Sequence, residues 1–81
     1  MTKRDKRLQA IRHNSRDVHF DDACAAAETI GFIRRGGEGS HRVYTHDEEP
    51  MILNFQNRQG LIAEYQAKQL IAMLDKYEES E

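Results

Sequence analysis

The chain has 81 residues and a mass of 9.4 kDa, room for one small domain and no more. Charged residues make up 32% and the net charge is −2, a balance that argues against a disordered chain, and no apolar run approaches the roughly 18 residues of a membrane span. A single cysteine, Cys24, excludes an intrachain disulfide and a cysteine-rich metal site.

In chain order, the basic start Lys3-Arg4-Asp5-Lys6-Arg7 is followed by no apolar stretch. No secretory signal is therefore expected, and the expected compartment is the cytoplasm. Residues 2–13 read as a short basic helix with only Leu8 and Ile11 on an apolar face. Two anchors cannot hold such a helix alone, so it docks on the body or frays. The polar break Asn14-Ser15-Arg16-Asp17 closes this segment, so residues 1–17 are taken as a basic helix and linker and residues 18–81 as the domain proper.

A stronger helix is expected over 21–30. Asp21 suits the N-cap, Phe20 the position that staples the first turn, and the alanine-rich run from Ala23 to Ala27 favours helix throughout. Gly31 suits the C-terminal cap. Strands are expected over 32–35, 40–45 and 51–55, with the turn Gly36-Gly37-Glu38-Gly39 between the first two. Pro50 is expected to open the third strand, since proline cannot donate within a sheet. The last helix is expected over 63–78, where Ala67, Leu70, Ile71, Leu74 and Tyr77 follow the 3.6-residue period. A three-stranded meander needs one face covered, and the 21–30 and 63–78 helices are the covers available. The expected fold is therefore an α+β two-layer sandwich with an extra N-terminal helix.

Charge is spread unevenly. Residues 1–44 carry nine Lys/Arg against six Asp/Glu, and residues 45–81 carry three against eight. A basic front suits an anionic ligand. A solvated helix followed by a solubilising acidic end explains the same pattern without one.

The stretch that could carry chemistry is Arg34-Arg35-Gly36-Gly37-Glu38-Gly39-Ser40-His41-Arg42. Glycines let backbone N–H groups approach a phosphate, arginines grip it with bidentate geometry, and a histidine beside it can move a proton near neutral pH. These parts suit metal-free cleavage of an RNA phosphodiester, in which a base deprotonates the 2′-OH for attack on the adjacent phosphorus. Glycine hairpins flanked by arginine are also common for purely structural reasons. By strand alternation His41 shares a face with Val43 and Thr45, while Ser40, Arg42 and Tyr44 share the other. If Val43 is core, His41 stands at the rim of the core face. The turn His46-Asp47-Glu48-Glu49 offers side chains a metal could use, but adjacent acids in a turn are ordinarily just solvated, so no metal or other cofactor is expected.

The runs Gly31-Phe32-Ile33-Arg34-Arg35 and Gly39-Ser40-His41-Arg42-Val43-Tyr44 resemble the HicA toxin family of HicA–HicB toxin–antitoxin modules. So do Ile52-Leu53-Asn54-Phe55-Gln56 and Tyr65-Gln66-Ala67-Lys68-Gln69-Leu70, and the leading segment resembles longer members with an extra N-terminal helix. Many members carry a second histidine where this chain has Arg42, and many are strongly basic overall. The resemblance implies a fold like the double-stranded-RNA-binding domain, an mRNA-cleaving ribonuclease with His41 as its catalytic residue, and a HicB-type antitoxin protein as partner. The RNA-binding residues expected with it are Arg34, Arg35, Gly39, Ser40, Arg42 and Lys68. A non-catalytic RNA-binding or protein-interaction module of the same fold is the alternative. A helix-turn-helix reading fits poorly, because residues 36–55 read as strands.

Overall fold

The computed structural model describes residues 3–77. It contains α1 (Lys3–His13), α2 (Phe20–Thr29), β1 (Ile33–Gly36), β2 (His41–His46), β3 (Glu49–Gln56) and α3 (Glu64–Tyr77). The fold is α+β. The strands form one antiparallel sheet in the order β1-β2-β3, with α2 and α3 packed on one face. Residues 2 and 78, included in the expected first and last helices, lie outside the described residues.

The covered face follows from alternation. Leu53 and Phe55 of β3 are fully buried, whereas Ile52, Asn54 and Gln56 are exposed. Tyr44 pairs with Leu53 and Arg42 with Phe55, so Arg42 and Tyr44 face the helices. Tyr44, not Val43, is the core residue of β2. The ring buries far more apolar surface than valine could, and its hydroxyl donates to Glu28 Oε2 at 2.9 Å. His41, Val43 and Thr45 therefore point to the uncovered face. Between the layers lie Cys24, Ala27, Ile30, Leu70 and Leu74, as their periodicity predicts, while Ile71 is only partly buried.

α1 docks rather than frays. Leu8 and Ile11 are both nearly fully buried, and the helix packs on α2 and α3. Two ion pairs flank the contact, Arg7 Nε to Asp22 at 3.5 Å and Arg12 Nη1 to Asp75 at 3.0 Å.

β1 and β2 each lie one residue later than the expected 32–35 and 40–45, so Gly36 belongs to β1. α2 ends and α3 begins within one residue of expectation, and two further boundaries differ for a tertiary reason. α2 begins at Phe20 with His19 as N-cap and no side-chain cap, so Asp21 sits inside the first turn. The preceding residues run antiparallel to the segment before α3, where Phe20 N donates to the Gly60 carbonyl (2.9 Å) and Ile62 N to that of Val18 (3.0 Å). These bonds fix the helix entry without Asp21. β3 begins at Glu49 and so includes Pro50, which is tolerated because β3 is an edge strand. Gly31 follows the C-cap Ile30 with φ +98, the left-handed conformation expected of it.

Candidate functional site

The loop 37–40 joins two strands and ends at His41, which is exposed. Its shape depends on Gly37. That residue has φ +97, and a Cβ there would overlap the carbonyl oxygen of His41 and lie 2.8 Å from Arg42 Cα. The loop is closed by the His41 N–H, which donates to the Glu38 carbonyl at 3.0 Å. The backbone of His41 is thus held from both sides, while its ring stands on the uncovered face opposite Gln56.

The arginines divide. Arg35 is the extra residue of a β-bulge between Arg34 and Gly36, and its Nε donates to Thr45 Oγ1 at 3.4 Å. It therefore shares the uncovered face with His41. Arg34 pairs with Tyr44 and lies at the sheet edge, with Nη2 donating to the Gly37 carbonyl at 3.3 Å. Arg42 points away from His41, to the covered side of the sheet that Tyr44 and, by its pairing with Tyr44, Arg34 also occupy. The Arg42 guanidinium lies 5.1 Å from the Phe20 ring centroid, and its Nε is buried with no hydrogen-bond partner among the described residues. A single anion held jointly by Arg34, Arg35 and Arg42 does not match this placement, because alternation turns position 42 toward α2. Gly39 and Ser40 are exposed beside His41, and the Ser40 carbonyl accepts from Asn57 N at 2.7 Å. Lys68 lies on α3, 3.6 Å from Glu64.

Cys24 sits in the seam behind Arg42. Burial raises its pKa, outweighing the opposing hydrogen bonds from Tyr44 and Arg42. It stays a protonated thiol, a small apolar group rather than a nucleophile. Burial also raises the pKa of the Tyr44 hydroxyl, with Cys24 and Glu28 adding to it. Both side chains therefore stay protonated near neutral pH.

The His46-Asp47-Glu48-Glu49 turn is committed elsewhere. The His46 ring stacks on Tyr77 at 4.5 Å, and its Nδ1 accepts from Glu48 N at 3.0 Å. Glu49 accepts from Lys76 at 2.6 Å and from the Tyr77 hydroxyl at 2.7 Å. Among the described residues no group of three or more His, Cys, Asp or Glu side chains is placed to hold a metal ion. No helix among them is long and apolar enough to cross a membrane.

Two contributors carry no clear signal in the sequence. Gly37 is one glycine among three in a turn, and only the structure shows which one meets His41. Gln66 is buried in the first turns of α3, where its Oε1 accepts from Gln56 N and Ala63 N, both at 3.3 Å. It ties α3 to the strand residue opposite His41.

Comparison with known proteins finds no matching family model, no similar curated protein and no similar solved structure. The likeness to HicA toxins therefore stands on the residue pattern alone.

Proposed function

We propose that the chain is a metal-independent endoribonuclease that cleaves mRNA, acting as the toxin of a toxin–antitoxin pair. The observation that carries this reading is the position of His41: exposed on the uncovered sheet face, with its backbone held by a glycine loop that bears Arg34 and Arg35 at its other end. In the proposed reaction the His41 imidazole takes the proton of a ribose 2′-OH. The 2′ oxygen bonds to the adjacent phosphorus as the bond from phosphorus to the 5′ oxygen breaks, and water protonates the leaving oxygen. Arg35, on the same face, and Arg34, at the loop edge, stabilise charge on the phosphoryl oxygens. Arg42 holds β2 against α2 from the other side.

A second reading has its own support. Ile33 and Ile52 are each about half exposed on the His41 face (49% and 52%), an apolar contribution that suits coverage by another protein. In the toxin reading that protein is a HicB-type antitoxin. In a protein-interaction module it is the whole function.

The two separate on expression of the chain alone. A ribonuclease toxin arrests growth and degrades mRNA, and His41→Ala abolishes both. An interaction module does neither, yet still copurifies with the product of the neighbouring gene.

A further inference from the structure

At the end of the molecule where β2 begins, two chain segments bring cationic and hydroxyl groups to one carboxylate oxygen. Glu64 Oε2 accepts from Ser15 Oγ at 3.4 Å and lies 3.7 Å from Arg16 Nε and 3.6 Å from Lys68 Nζ. The linker reaches α3 because residues 18–20 pair with residues 60–62, through His19 with Leu61 and the Val18 carbonyl with Ile62 N. The same end carries His41. Gln66, two residues beyond Glu64, bonds to the backbone of Gln56, the cross-strand partner of His41.

We propose that Arg16 and Lys68, with Ser15, form a phosphate-binding position that the Glu64 carboxylate fills in the free protein and an RNA phosphate takes over on binding. The geometry favours exchange. Both cations are highly exposed, with side-chain accessibilities of 83% and 67%, and both contacts are longer than a good charge-assisted hydrogen bond. Exposed ion pairs of this kind hold weakly, so a phosphodiester of RNA, singly charged like the carboxylate but held in place by contacts to its neighbours along the strand, displaces it. The linker's one cation, Arg16, is thus masked in cis until a polyanion arrives. The RNA part of the proposal rests on the ribonuclease reading above. The phosphate position itself does not.

The test uses the full chain carrying His41→Ala, so that RNA is bound without being cut, with and without Glu64→Gln or the pair Arg16→Ala and Lys68→Ala. A fluorescent single-stranded RNA is titrated at several salt concentrations, and inorganic tripolyphosphate is titrated while backbone amide shifts are followed. Glu64→Gln is expected to tighten RNA binding by about threefold to tenfold, the effect of unmasking one phosphate contact. The double alanine variant is expected to weaken it and to lower the salt slope by about 0.7, one phosphate's worth on a single strand. Tripolyphosphate is expected to move the Arg16 and Lys68 amides, at lower concentration in Glu64→Gln. Should tripolyphosphate bind there while RNA does not, the phosphate position stands and the ribonuclease reading falls. Should RNA bind with the same affinity and salt slope in all variants, with tripolyphosphate leaving residues 15, 16 and 68 unmoved, the proposal is overturned and Glu64 is an ordinary surface ion-pair partner.

Discussion

Gly37 lies so close to His41 that no side chain fits between them: a Cβ on Gly37 would overlap the His41 carbonyl oxygen. Its φ of +97 disfavours any other residue as well. The glycine loop therefore sets where the backbone of His41 stands. Its neighbour Gly36 has open space around it and no positive φ, which makes it an internal control.

Gly37→Ala is expected to cost on the order of 1–3 kcal/mol, the range for a residue forced into a sparsely populated backbone region, and to displace His41. Gly36→Ala is expected to stay within about 0.5 kcal/mol of wild type. Urea denaturation of the two variants checks this. Equal stability would mean that the loop relaxes freely and does not position His41.

Gln66 uses one buried amide oxygen to satisfy two backbone N–H groups, those of Gln56 and Ala63. Gln66→Leu strands both donors and is expected to destabilise the domain by about 1–3 kcal/mol for each that stays buried. Gln66→Glu keeps the acceptor and is expected to cost less. Hydrogen exchange at Gln56 is the local readout, and it should quicken in the leucine variant before global unfolding.

Glu49 ties the β2–β3 hairpin to the end of α3. Hydrogen bonds from Lys76, then Tyr77 and the Met51 N–H, lower its pKa from the ordinary 4.5 to about 2. A carboxyl whose folded pKa is depressed adds stability that is complete above pH 4.5 and is lost as pH falls from there toward 2. Glu49→Gln is therefore expected to be less stable than wild type at pH 6, with the gap closing toward pH 2. Urea midpoints across that range test it, and a gap independent of pH would rule out the carboxylate as its source.

Much of the fold is legible in the sequence because it depends on local preference. The alanine run before Gly31, the glycine turn, and the spacing of Ala67, Leu70 and Leu74 each point to one element. The start of α2 is not legible, because Phe20 is fixed by a bond to the distant Gly60 carbonyl. At the site, strand alternation separates His41 from Arg42, but only the helices decide which face is covered. Tyr44 against Val43 as the inward residue is a choice made by packing. It turns Arg42 toward Phe20 and leaves His41 and Arg35 together on the uncovered face.

The most direct test of the proposed chemistry is cleavage of mRNA by the purified chain beside its His41→Ala variant, with RNA binding measured in parallel. If His41 is the proton carrier, its loss lowers the cleavage rate by roughly 10²–10⁴-fold while binding persists through Arg34 and Arg35. An unchanged cleavage rate in His41→Ala, or no cleavage by the wild type, would contradict a catalytic role for His41.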